Sequence, residues 1–230
     1  MNIYKALNIT LASAALAVAA TGASFAQGNL TPGGTITPTA TTLGGALITS
    51  QTDAFTSALK TYSGSLYSAV YNEGAANSLG GLTFVYQLQN DAMSKDALDR
   101  IAGGDFSAYQ SSAFYSTQAG GLGAGTNAPN FAFETLSGGA GFKFDTSSNG
   151  NLFKGQTSDV LIVRTNANSF TDTLEGVSDN TTVNVASYTP ATTSVVPEPA
   201  TVVPFAFGAL GLLALGLRAR KTRRTSGAAA

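Results

Sequence analysis

At 230 residues with no Cys and no His, the chain is long enough for one ordinary domain with extensions. It cannot build disulfides, thiolate or imidazole metal sites, or catalysis by a thiol or an imidazole base. Only 11% of its residues are charged, against roughly 25% in an average globular domain, and the formal net charge is −1; a nucleic-acid binder that must neutralise phosphates is excluded.

The chain opens with Lys5, then an apolar run from Ile9 to Ala20 (ITLASAALAVAA) that is too short to cross a roughly 30 Å hydrocarbon layer as a stable helix. Ser24-Phe25-Ala26 places small residues three before and one before a cut ahead of Gln27. Residues 1–26 therefore read as a helical signal peptide, cleaved by signal peptidase between Ala26 and Gln27. Residues 27–50, with GNLTPGGTITPTATTLGG at their centre, are rich in Thr, Gly and Pro and read as a flexible or edge-like lead-in to a body spanning 51–190.

Within that body the period is mostly two. Ser65–Tyr71 (SLYSAVY) predicts a strand, and Leu82, Phe84, Tyr86 and Leu88 alternate with Thr83, Val85, Gln87 and Gln89 between Gly80-Gly81 and Asn90-Asp91. Shorter strands are predicted over Ser112–Thr117, Phe131–Thr135 and Gly141–Asp145. Ser158–Thr165 (SDVLIVRT) is almost continuously apolar, the pattern of a central strand covered on both faces. Thr181–Tyr188 alternates again. Two stretches compete for helix. Phe55, Leu59, Tyr62 and Leu66 have helical spacing, weakened by Gly64. Ser94–Ile101 (SKDALDRI) offers a cap at Ser94, an acid in the first turn at Asp96 and a stop at Gly103-Gly104. The expected fold is mainly β: an antiparallel β-sandwich with one short helix, plus the signal helix and one C-terminal transmembrane helix.

Four constellations could carry chemistry. Ser57-Ala58-Leu59-Lys60 fits S-x-x-K and Ser178-Asp179-Asn180 fits S-D-N, but no K-T-G follows, so a surface strand-and-turn reading is preferred to a serine nucleophile. Asp145, Ser147 and Asn149, followed by Gly150, resemble the first half of a calcium loop; Gln156 at the twelfth position cannot give the bidentate carboxylate, and an Asx-turn explains the same residues. Asp172, Glu175 and Asp179 could pair as hydrolase or calcium carboxylates, or simply sit on a polar hairpin at a sheet rim. Tyr62, Tyr67, Tyr71, Tyr109 and Tyr115 could form a flat strip for sugars, though core or half-buried strand positions are the commoner fate of Tyr. No cofactor is implied by any of them.

The chain closes on a linker, 191–200, containing Pro197-Glu198-Pro199, whose prolines lock an extended, exposed segment that an enzyme can grip. Thr201–Leu217 then carries no charge over 17 residues, about 25 Å as a helix, enough for one membrane span. Arg218, Arg220, Lys221, Arg223 and Arg224 follow directly and hold the tail, 218–230, on the cytoplasmic side. Between Gln27 and Val196 there are six bases against twelve acids, so the exported part is near −6 and is not expected to bind nucleic acid or anionic lipid.

The order Pro-Glu-Pro, apolar span and basic cluster over 196–224 closely resembles the PEP-CTERM sorting signal of Gram-negative bacteria, a module also called the ice-binding protein C-terminal domain. The one departure is the Ala/Ser-rich extension from Thr225 to Ala230. The resemblance implies recognition by a membrane protease-transpeptidase, exosortase, a cut near Pro197–Pro199, and movement of the mature protein across the inner membrane to the cell surface or the medium. It also implies an association with exopolysaccharide and biofilm. The segments 80–91 (GGLTFVYQLQND), 99–109 (DRIAGGDFSAY) and 155–172 (GQTSDVLIVRTNANSFTD) resemble a domain that recurs ahead of such signals and to which no activity is assigned. The expected function is a non-enzymatic exported surface or matrix protein. The alternatives are a carbohydrate- or calcium-binding adhesion module, a carboxylate hydrolase, and an ice binder with a flat, regular Thr face.

Overall fold

A computed structural model describes residues 28–144 and 151–191. The signal peptide and its Ala26/Gln27 cut lie outside the described residues. So do the calcium candidates Asp145, Ser147 and Asn149, the sorting motif Pro197–Pro199, the apolar run 201–217 and the basic cluster from Arg218 to Arg224. Among the described residues no helix is long and apolar enough to cross a membrane.

Twelve strands follow in order: β1 (Thr35–Ile36), β2 (Thr39–Ala40), β3 (Ala46–Thr56), β4 (Ser63–Asn72), β5 (Thr83–Asn90), β6 (Arg100–Gly103), β7 (Ser111–Ser116), β8 (Phe131–Glu134), β9 (Ala140–Lys143), β10 (Val160–Thr165), β11 (Phe170–Asp179) and β12 (Thr181–Pro190). They form two six-stranded sheets, β2-β7-β10-β5-β4-β3 and β1-β8-β9-β6-β11-β12, antiparallel throughout except for the β2–β7 pair. The protein is mainly β, as expected. The stretch read as a lead-in contributes β1, β2 and the start of β3, each held by a partner from the body: Thr35 pairs with Phe133, Thr39 with Phe114, Ala46 with Asn72.

Apolar side chains from both sheets share one core. Leu66, Val70, Phe84, Leu88 and Leu161 come from the first sheet; Ile101, Ala132, Phe142, Val177 and Val185 come from the second. Hydrogen bonds cross between the sheets as well. The Tyr86 hydroxyl donates to the Tyr188 carbonyl at 2.9 Å, and the Tyr62 hydroxyl donates to the carbonyls of Thr181 and Val177 at 2.7 and 3.2 Å. A buried phenol must find such a partner, and here it fastens strand ends of opposite sheets together.

The central-strand reading of 158–165 holds, because β10 lies inside its sheet and is buried along its whole length. On the outer face of this sheet Ala69, Val85, Val160 and Ile162 form a second small cluster with Leu43, Tyr67, Tyr71 and Phe114. Two loop segments cover that face. The Leu43 amide donates to Gln118 Oε1 at 2.8 Å, and the buried Gln87 side chain bonds Gly123 and Leu122. Gly121 lies so close to Tyr67 that a Cβ there would fall 2.2 Å from the ring.

The short helix expected at Ser94–Ile101 does not form; the only helical turn among the described residues is a 3-10 turn at Gly74–Ala76. Remote partners take the donors that a helix would use. Ser94 Oγ exchanges hydrogen bonds with the backbone of Ser63, Lys95 and Asp96 both donate to the Thr61 carbonyl, and Leu98 exchanges bonds with Leu152. A helical propensity of a few tenths of a kcal/mol per residue yields to this satisfied extended crossing. The competing helix spacing at Phe55–Leu66 also resolves into strand. Phe55, Tyr62 and Leu66 are core residues of β3, its turn and β4, and Leu59 is exposed at the hairpin tip.

Candidate ligand-binding site

Pairing across the second sheet aligns residues that are distant in sequence. One row on its outer face runs Phe131, Lys143, Arg100, Ser178, Thr182; the next runs Thr35, Phe133, Gly141, Ala102, Gly176, Asn184. The alternate residues of these strands, Ala132, Phe142, Ile101 and Val177, belong to the core, so both rows face away from it. The second row is floored by small residues. A Cβ on Gly141 would lie 2.7 Å from Cζ of Phe133, so the Phe133 ring rests directly on that glycine.

The result is a trough of about 370 Å³ lined by Thr35, Asp99, Arg100, Phe131, Phe133 and Lys143. Phe131 is 36% exposed. Arg100 Nε donates to Ser178 Oγ at 2.8 Å, and Ser178 Oγ donates to Asp99 Oδ1 at 3.2 Å, a relay that fixes the guanidinium and one carboxylate oxygen at the rim. Beyond Ser178, partial burial and then the charges of Asp96 and Asp99 hold the Asp179 carboxyl above its ordinary range. A smaller hollow of about 220 Å³ lies on the first sheet beside Leu43, Tyr71 and Gln118, where burial and then Tyr67 push the Tyr71 hydroxyl up to about 12.

The residues singled out from sequence do not converge. Ser57 Oγ accepts the amides of Thr61 and Tyr62 at 2.9 and 3.2 Å inside the β3–β4 turn, and Lys60, with φ of 55°, is exposed in the same turn. Ser178 and Asp179 end β11, and Asn180 makes the turn into β12 with the left-handed φ of 54° that Asn tolerates. Asp172 lies on the opposite face of β11 from Glu175 and Asp179 and is exposed. Among the described residues no group of three acids could hold a metal. The five tyrosines share no face either: Tyr62 is a core residue, Tyr67 and Tyr71 lie under loops on the outer face of the first sheet, and the Tyr109 hydroxyl is taken by the Ala191 carbonyl.

Glu175 is the least expected of these acids. It is 2% exposed, and its Oε1 has no hydrogen-bond partner. Burial holds its carboxyl well above the ordinary range and so favours the protonated form. In the unfolded chain it titrates near ~4.3. As pH rises through that value the unfolded chain releases a proton that the folded protein keeps, so stability falls until the folded pKa is passed. Glu175→Gln lacks this slope. Its unfolding free energy, measured in denaturant against pH, is expected to gain on the parent by up to about 1.4 kcal/mol per pH unit above pH ~5. Parallel curves for the two proteins would show Glu175 to be charged or hydrated in the folded state.

The trough residues were not candidates from sequence. Phe131 and Phe133 at a spacing of two were a legible strand signal, but their meeting with Arg100 depends on which strands pair. No family model, curated protein or solved structure matches the chain.

Proposed function

We propose that this chain is a non-enzymatic exported surface or matrix protein, carried to the envelope by an exosortase-type system and linked to exopolysaccharide or biofilm, with the two sheets forming an antiparallel β-sandwich body. The observation that carries this reading is the segregation of features along the chain. The features with a sorting meaning (the run 9–20, Ala26/Gln27, Pro197–Pro199, the run 201–217 and the basic cluster 218–224) flank the described stretch in sequence on both sides, and among the described residues no group of three acids could hold a metal. Signal peptidase and an exosortase-like protease are its processing partners in this reading, and the membrane holds it only before the second cut.

Intact mass spectrometry of the protein from cells with and without the sorting protease tests this. With the protease present, the chain is expected to start at Gln27 and to end near Pro197–Pro199; replacing all three motif residues with Ala is expected to leave a precursor that keeps residues 201–230. A soluble cytosolic species running from Met1 to Ala230 would overturn the proposal. Of the two adhesion alternatives, the carbohydrate reading is favoured by the exposed ring of Phe131 at the mouth of the trough.

A further inference from the structure

Arg100 and Lys143 stand directly opposite each other on neighbouring strands, and both are exposed. Like charges in that position repel. Neither is neutralised: the single ion pair within 4 Å among the described residues is Arg164–Glu73, far from this face in the other sheet. The body has only six bases against twelve acids, yet two of the six are placed side by side. Among the described residues that line the trough Asp99 is the one acid, with an oxygen occupied by Ser178 Oγ, so this lining presents two cations to one carboxylate; Asp96 and Asp179 lie near Asp99 outside the lining. On the same row, next to Lys143, lies the exposed ring of Phe131, and behind it Phe133 rests on Gly141.

We propose that this trough binds a carboxylate-bearing saccharide, a uronate pyranose, through the outer face of the second sheet. A pyranose presents a flat patch of C–H groups that a phenyl face can cover, and an aromatic face is weakly negative, which suits such slightly positive hydrogens. The uronate carboxylate is the counter-ion that the Arg100–Lys143 pair lacks among the described residues; the Arg100 Nη groups make no hydrogen bond to a described residue, and the planar fork matches a carboxylate. Neighbouring ring hydroxyls then meet the free oxygen of Asp99 and the hydroxyl of Thr35, an acceptor and a donor on opposite walls. A volume of about 370 Å³ falls in the range of small-ligand sites and suits one or two sugar rings. The inference goes beyond the export reading and does not depend on it, since it concerns what the folded stretch holds wherever the protein resides.

Calorimetric titration of the full-length protein with a galacturonate trisaccharide, its neutral galactose counterpart and a short single-stranded oligonucleotide tests it. The uronate is expected to bind at least about tenfold tighter than the neutral sugar at low salt, and to weaken with added salt. Lys143→Gln and Arg100→Gln are expected each to lower uronate affinity about tenfold while leaving neutral-sugar binding nearly unchanged; Phe131→Ala is expected to weaken both sugars. All three are surface changes, and an unaltered melting curve confirms that each variant is folded. Equal affinity for the two sugars, no binding of either, indifference to the three substitutions, or preference for the oligonucleotide would each overturn the proposal.

Discussion

Replacing Arg164 with Met is expected to cost about 3–5 kcal/mol of folding stability, the penalty for leaving a buried charge without its partner. Arg164 Nε and Nη2 meet Glu73 Oε2 and Oε1 at 2.7 and 3.0 Å, with side-chain exposures of 10% and 0%. Burial acts to raise the Glu73 pKa, but the guanidinium, the Thr83 hydroxyl and the Gly44 amide outweigh it and hold the carboxyl below its usual range. Arg164 also donates to the Thr42 carbonyl and lies 4.8 Å from the centre of the Phe114 ring. The pair therefore nails residues 42–44 onto the first sheet, and its loss frees that cover along with the charge. Adding Glu73→Gln to Arg164→Met is expected to recover most of the loss, because no charge is then buried. A cost under about 1 kcal/mol for the single variant, in denaturant titration, would mean that water already reaches Glu73.

The pH behaviour of this pair opposes that of Glu175. Because the folded Glu73 pKa is depressed, its stabilisation is present above the unfolded value near ~4.3 and is lost as pH falls through the lower folded value. Glu175 penalises the protein from that same pH upward. Together they give a stability optimum on the mildly acidic side, with Glu73 setting the acid limb and Glu175 the descent toward neutrality.

Phe84→Ala is expected to cost a further 3–5 kcal/mol or so, independently of the polar cluster. Phe84 is fully buried, pairs with Val163 on one side and Val70 on the other, and meets Phe106 edge-on with ring centres 5.6 Å apart. Phe106, in the loop that joins β6 of the second sheet to β7 of the first, is itself fully buried, so the truncation opens a void between a strand and that connection. Phe84→Leu keeps most of the volume and is expected to cost much less, about 1 kcal/mol. Denaturant melts with unchanged slopes would report the difference cleanly. An Ala variant as mild as the Leu variant would show that the two sheets slide together to fill the gap.

Strands were legible where one face is apolar and the other polar, as in β4 and β12, or where a run is apolar throughout, as in β10. They were not legible where local preference and final environment disagree. β1 and β2 are two residues each, too short for any period, and exist because Phe133 and Phe114 are there to pair with them. β6 sits inside a sequence with good helix signals that lost to hydrogen bonds from Ser63, Thr61 and Leu152. The trough was invisible for a related reason. Arg100 and Lys143 are 43 positions apart, and nothing in either neighbourhood announces the other; the register of β6 on β9 makes them neighbours. Glu175 looked like a rim acid because its segment is polar, whereas the strand parity that turns Val177 inward turns Glu175 inward with it.

One short segment, 109–111, holds two distant parts of the described chain. The Leu30 amide bonds the Ser111 carbonyl, and the Tyr109 hydroxyl bonds the Ala191 carbonyl. The row carrying Arg100 and Lys143 aligns with Ser178, one residue from the β11–β12 turn, at the other end of strands whose near end is Phe170 and Pro190. The trough is thus set toward the β11–β12 turn, away from the Phe170–Pro190 end where Tyr109 holds Ala191. A molecule seated in the trough would therefore meet the body at the end remote from Ala191.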